Sequence, residues 1–276
     1  MLKKGALFAV LFVVVFIVGL RLTFPMALVT SVIESQAEAA LEFKYDIEIE
    51  QTRFSGLSGV RLIGVSIEST APLEPDEFRV PMRFDSARIR VGLLSAMRGN
   101  PRVRADLRID DGEIRADFGP DEAGRALKIE LFDVQLRGIA PLQAATGLPT
   151  QGAASGTIQI TWTDEWRITG GDVELGIAGL VFGPGNLEAE AFAQFGGFIP
   201  LPATDFGNVV IRAPMEGSDV RIEQFEASGT DIRLNASGEI QIRTPRPTSR
   251  LNLNLDFQLD GGYVEEAGLG AVLGDA

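Results

Sequence analysis

Cysteine and histidine are absent from this chain of 276 residues, and lysine occurs only at Lys3, Lys4, Lys44 and Lys128. Without cysteine no disulfide can staple the fold, even in a compartment that would permit one. Without histidine the Ser-His and Cys-His routes to an activated nucleophile are closed, as are the usual zinc sites. Only carboxylate chemistry or a hard cation remains. The chain is therefore expected not to be an enzyme, with no catalytic, cofactor-binding or metal-binding residues. A carboxylate-based glycosidase is the residual enzymatic alternative, and it would need two convergent acids in a deep pocket.

Positive charge is scarce beyond the first 24 residues. The chain carries −13 at pH 7, and Lys3, Lys4 and Arg21 are the only charges before residue 25. Setting those three aside leaves −16 for residues 25–276. Such a body is repelled by nucleic acid and by anionic headgroups, so no nucleic-acid partner is expected. Apart from the four lysines the basic residues are all arginine, which reads as genome composition more than mechanism.

What is present first is a long apolar run, Gly5 to Phe24, whose first sixteen residues are uncharged. About 20 residues at about 1.5 Å each span roughly 30 Å, the hydrocarbon thickness of a bilayer. Arg21 near its far end can snorkel to the headgroups. Paired lysines before it favour a cytoplasmic N-terminus. Residues 1–4 are read as cytoplasmic, 5–24 as one transmembrane helix, and the rest as lying across the membrane. A cleaved signal peptide is the rival reading. It fits poorly, because Arg-Leu-Thr-Phe-Pro follows the core and the Ala-x-Ala at Ala37 to Ala39 comes too late.

Residues 25–40 open on Pro25 and place Met26, Val29, Ile33, Ala37 and Ala40 at helical spacing. This predicts an amphipathic helix at the membrane surface, or a kinked continuation of the anchor. From residue 41 to 260 the period becomes two. Ile47 and Ile49, then Val60 and Leu62, then Val65 and Ile67 alternate with polar residues, and Gly64 marks a bulge. Pro81 within the run Phe78 to Phe84 suggests an edge strand. Gly92 to Gly99 reads as a short helix or loop. Arg102 to Phe118 reads as a hairpin turning at Asp111-Gly112. Gly138 to Gly147 reads as a second short helical stretch, and Asp164-Glu165 as a turn between Trp162 and Trp166. Residues 179–207 read as loops around short strands. Leu251 to Leu259 alternates without a break, and its apolar face is expected to pack in a closed core. Residues 261–276 read as a flexible tail.

The class is mainly β: a transmembrane helix followed by a large, mostly antiparallel sheet, either a curled sheet, a sandwich or an open barrel. Its apolar face must be hidden by closing, by a second layer, or by holding something greasy.

The order of segments carries a resemblance. A basic end, one anchor, Thr-Phe-Pro and an amphipathic helix precede GLSGVRLIGVSIES, VELGIAGLVFG, LPATDFGNVVIR, RIEQFEASGTDIRLNASGEIQIR and SRLNLNLDFQL. Nearly the whole chain resembles the type II secretion system protein N (GspN) family, with strand units similar to AsmA-like envelope proteins. The resemblance implies a single-pass component of a Gram-negative inner membrane, with a periplasmic β body. Other inner-membrane secretion components would then be partners. The AsmA likeness implies the alternative, a protein that holds or transfers lipid in an apolar β-groove. No catalytic motif comes with either.

Several short motifs read more simply as structure. Asp117-Phe118-Gly119 spells a kinase metal triplet with no other kinase element around it. Gly268 to Gly274 approaches a dinucleotide fingerprint without a following βαβ unit. Asn235-Ala236-Ser237 matches a glycosylation acceptor by chance. Asp110, Asp111 and Glu113 form an acidic tip that a hairpin turn explains without calcium. Trp162 and Trp166 could mark a partner surface, though core packing is the plainer account.

Overall fold

The computed structural model describes residues 30–31, 33–35, 45–56, 58–70, 82–122, 124–137, 139, 148–165, 167–188, 198–242 and 249–266. The predicted anchor, Pro81, Trp166, the stretches 140–147 and 267–276, and most of the juxtamembrane segment lie outside them. Among the described residues no helix is long and apolar enough to cross a membrane.

Fifteen strands follow in order: β1 (Tyr45–Ser55), β2 (Gly59–Ser69), β3 (Met82–Val91), β4 (Val103–Ile109), β5 (Gly112–Asp121), β6 (Gly124–Gln135), β7 (Thr150–Trp162), β8 (Ile168–Phe182), β9 (Gly185–Glu188), β10 (Phe198–Leu201), β11 (Thr204–Arg212), β12 (Met215–Glu216), β13 (Asp219–Ser228), β14 (Ile232–Gln241) and β15 (Arg250–Leu259). Two short helices join them, α1 (Leu93–Met97) and α2 (Gly261–Glu266). Thirteen strands form one antiparallel sheet in the order β1-β2-β3-β4-β5-β6-β7-β8-β11-β13-β14-β15, with β12 bridging β8 and β13. The remaining two, β9 and β10, form a separate hairpin. Consecutive strands are neighbours almost throughout, as short connections favour.

Alternation along each strand sorts the side chains onto two faces. Register then joins the apolar positions into rows that cross the sheet. One row touches all twelve strands of the main path, running from Thr52 through Leu62, Leu107, Leu131, Ile211 and Ala236 to Leu255. Thr52 is its only polar member. At several places positions on the apolar face sit three apart instead of two: Ile49 and Thr52, Leu62 and Val65, Phe84 and Ala87, Leu131 and Val134, Ile177 and Leu180, Ile222 and Phe225. The pairing register shifts at Leu131/Val134, beside Ile177/Leu180 and at Ile222/Phe225, as in bulges that bend and twist a strand. Gly64, with φ +62°, stands between Leu62 and Val65 in β2, where the register is unbroken.

On the apolar face Val134 and Val209 are only 2% exposed. Three inserts pack on this face or close beside it. Ile33, in the helical residues 30–31 and 33–35, packs on the cluster of Ile47, Leu62 and Phe84. Ile139, between β6 and β7, touches that cluster and the one around Ala154 and Val209. Tyr263 of α2 is buried and shares a 2.8 Å hydrogen bond with Thr204.

Four expectations are corrected. β3 pairs on both sides, so it is an interior strand and not an edge. The β4–β5 turn is Asp110-Asp111, since Ile109 pairs with Gly112. Gly112 is already in the sheet, where a Cβ would stand 2.8 Å from Asp133 O and Val134 Cα. The tail begins as a helix: the Asp260 carboxylate accepts from the Gly262 N–H at 2.9 Å, which caps α2. Finally, the face of β15 is not packed in a closed core. Leu251, Leu255 and Phe257 are 68%, 61% and 56% exposed.

Candidate functional site

Burial on the apolar face falls along two directions. Within the strands it is deepest at the end where the chain enters, near Val65, Ile109, Val134, Ala154, Val209 and Ala227. Toward the opposite end Val60, Val103, Leu127, Ile160 and Val220 are only half-buried. Across the sheet, burial falls from Val209 on β11 to Leu234 and Ala236 on β14, and then to the bare side chains of β15. The result is an apolar trough, closed at one corner and open along the last strand. Ala236 and Gly238 form its floor beside β15, where small residues leave depth below Leu255 and Leu253.

The two edge strands differ. β1 is engaged by the helical residues 30–31 and 33–35: the Ile49 N–H donates to Glu34 Oε1 at 3.0 Å, and Thr30 donates to Thr52 at 2.7 Å. Beyond β15 no such contact exists among the described residues. Its sequence, RLNLNLDFQL, contains neither proline nor lysine, the usual guards of a free edge.

The opposite face is charged and laced with ion pairs. Asp117 accepts from Arg102 Nε at 2.6 Å and Arg104 Nε at 2.9 Å. Burial pushes its carboxyl up, but those two hydrogen bonds and charges together hold it below the usual carboxylate range. The Asp-Phe-Gly triplet is thus a structural strand segment, with Asp117 outward and Phe118 stacked on Trp162 at 5.8 Å. Trp162 is buried there, so it packs and does not mark a surface. The acidic tip does not converge. Asp110 and Asp111 are exposed, while Arg115 grips Glu113 at 2.9 and 3.0 Å and holds its carboxyl low. Arg115 also lies 4.7 Å over the Phe132 ring, which gives that exposed aromatic a cation as cover. Asn235 is exposed in β14, between its ladder partners Glu226 and Asp256. Among the described residues no three carboxylates are placed to share a metal ion.

The fold defines a class: a large antiparallel sheet with one apolar and one charged face, whose end strands β1 and β15 do not pair with each other. No protein-family model matches the chain, and neither does any curated protein or solved structure.

Proposed function

We propose that this chain is an envelope protein that holds the acyl part of a lipid against the apolar face of its sheet. One observation carries the reading: the apolar rows run from a buried corner to a strand whose Leu251, Leu255 and Phe257 are more than half exposed. Contiguous exposed apolar surface of this kind marks a binding site. The trough offers no polar side chain in register from Ile240 and Leu251 to Ile232 and Leu259, so it suits a ligand without directional groups, such as an acyl chain. The anchor at residues 5–24 and a periplasmic body complete the proposal, with the chain in the inner membrane of a Gram-negative bacterium and its N-terminus in the cytoplasm. The AsmA likeness belongs with this reading.

The test is titration of the full chain with a fluorescent fatty acid. Saturable binding that Leu255→Asp weakens on the order of tenfold, with unchanged thermal unfolding, supports it. Equal binding by parent and variant would sink it.

A second reading rests on the unguarded edge of β15. A free ten-residue strand can accept another strand by main-chain hydrogen bonds. This suits the GspN resemblance, in which the body is an interaction module for other inner-membrane secretion components. In-cell crosslinking from β15 that yields protein adducts and no lipid adducts favours it.

A further inference from the structure

One register row on the charged face changes character partway across the sheet. From β4 to β11 its signs alternate, with Asp106, Arg115 and Glu130, then Thr157, then Glu174 and Arg212. Opposite charges facing each other across a ladder stabilise it, and like charges do the reverse. Yet the row begins with three arginines in succession: Arg53 faces Arg61, and Arg61 faces Arg88.

Among the described residues Arg53 and Arg61 face no carboxylate in the ladder, and Arg88 faces only Asp106. Asp106, next in the row, is held by Arg90 at 2.6 Å, and nearby Glu113 is held by Arg115. Arg61, Arg88 and Arg108 instead line a concavity of about 440 Å³, where five arginines face two carboxylates that are already paired. Arg88, one of its lining residues, has its Nε buried without a hydrogen-bond partner. A buried donor left unsatisfied costs stability, so the arrangement is incomplete as it stands. It is also the reverse of the chain's overall charge.

We infer that this concavity is a binding site for a phosphate group, held by Arg61, Arg88 and Arg108. A phosphate offers several anionic oxygens in a tetrahedral array and can meet more than one guanidinium fork at once. A carboxylate carries less charge and only two acceptor oxygens, so it satisfies fewer of these donors. The site lies on the face opposite the apolar trough, so it stands independently of the lipid proposal. The phosphate could be free in solution or part of a lipid headgroup.

Thermal unfolding of the full chain, titrated with sodium pyrophosphate and with sodium chloride at matched ionic strength, tests this. The parent gains thermal stability with pyrophosphate and not with chloride. Without phosphate, Arg61→Gln and Arg88→Gln melt at or above the parent, because a like-charge contact is gone. Both variants bind pyrophosphate more weakly by a factor on the order of ten. Dihexanoyl phosphatidic acid below its micellar concentration separates the sources. A larger arginine-dependent gain than pyrophosphate gives identifies a lipid headgroup, and an equal or smaller one identifies soluble phosphate. The inference is overturned if neither probe stabilises the parent beyond chloride, or if both glutamine variants gain as much as the parent. A stronger arginine-dependent gain from polyglutamate than from either phosphate probe also overturns it, in favour of an acidic protein partner.

Discussion

Leu255 stands directly opposite Ala236 in the ladder, yet 61% of its surface is open to solvent. Val209, in the neighbouring row three strands further in, pairs with Ala227 and is 2% exposed. Two side chains of the same kind, on the same face of the same sheet, therefore have opposite energetic roles. Val209→Ala should lower stability by about 1–2 kcal/mol, counting lost transfer and a small cavity. Leu255→Ala should change it by less than about 0.5 kcal/mol. Denaturant unfolding of both variants checks the contrast. Equal losses would mean that β15 is packed.

Tyr263 tethers α2 to the start of β11. Thr204 Oγ1 donates to Pro202 O at 3.0 Å, which leaves the Tyr263 hydroxyl to donate to Thr204 at 2.8 Å. Tyr263→Phe removes that donor while keeping the ring, and should cost about 1 kcal/mol. Tyr263→Ala removes the ring as well and should cost about 3 kcal/mol or more. Urea midpoints of the two variants give the ratio. A silent Tyr263→Ala would show that α2 does not hold the fold.

Asp117 links stability to pH. Its carboxyl titrates below the ordinary range when folded, so its contribution is fully present above the unfolded value of about 4. That contribution is lost as pH falls through the lower folded value. Asp117→Asn leaves Arg102 and Arg104 beside a neutral amide. At pH 7 it should cost about 1 kcal/mol, discounted for the exposure of both arginines. The gap between parent and variant should close as the medium is acidified below pH about 4. Stability curves at several pH values check the sign, and a gap that widens in acid would refute it.

Much of the sheet was legible because period-two alternation is a local signal. Leu127, Ile129 and Leu131 place β6, and the run Leu251 to Leu259 places β15, without any knowledge of partners. The change of apolar phase at Gly64 was legible for the same reason, although the pairing register runs through it without the expected bulge. What alternation cannot carry is what lies above a face. Leu255 and Val209 read identically in sequence, and only the position of their strands in the sheet separates them. Tyr263 was hidden in a segment of small and acidic residues, because its partner Thr204 lies 59 residues away. The arginine row is invisible for a related reason. Arg53, Arg61 and Arg88 sit in three different strands, and only register sets them side by side.

The central claim is that the face of β15 is open to a lipid, and site-specific photo-crosslinking in cells tests it most directly. A photoreactive residue at position 255 lies on the apolar face, and one at 254 lies on the polar face beside it. The account predicts phospholipid adducts from position 255 and none from 254. Equal lipid labelling at both positions, or protein adducts alone from 255, would contradict it.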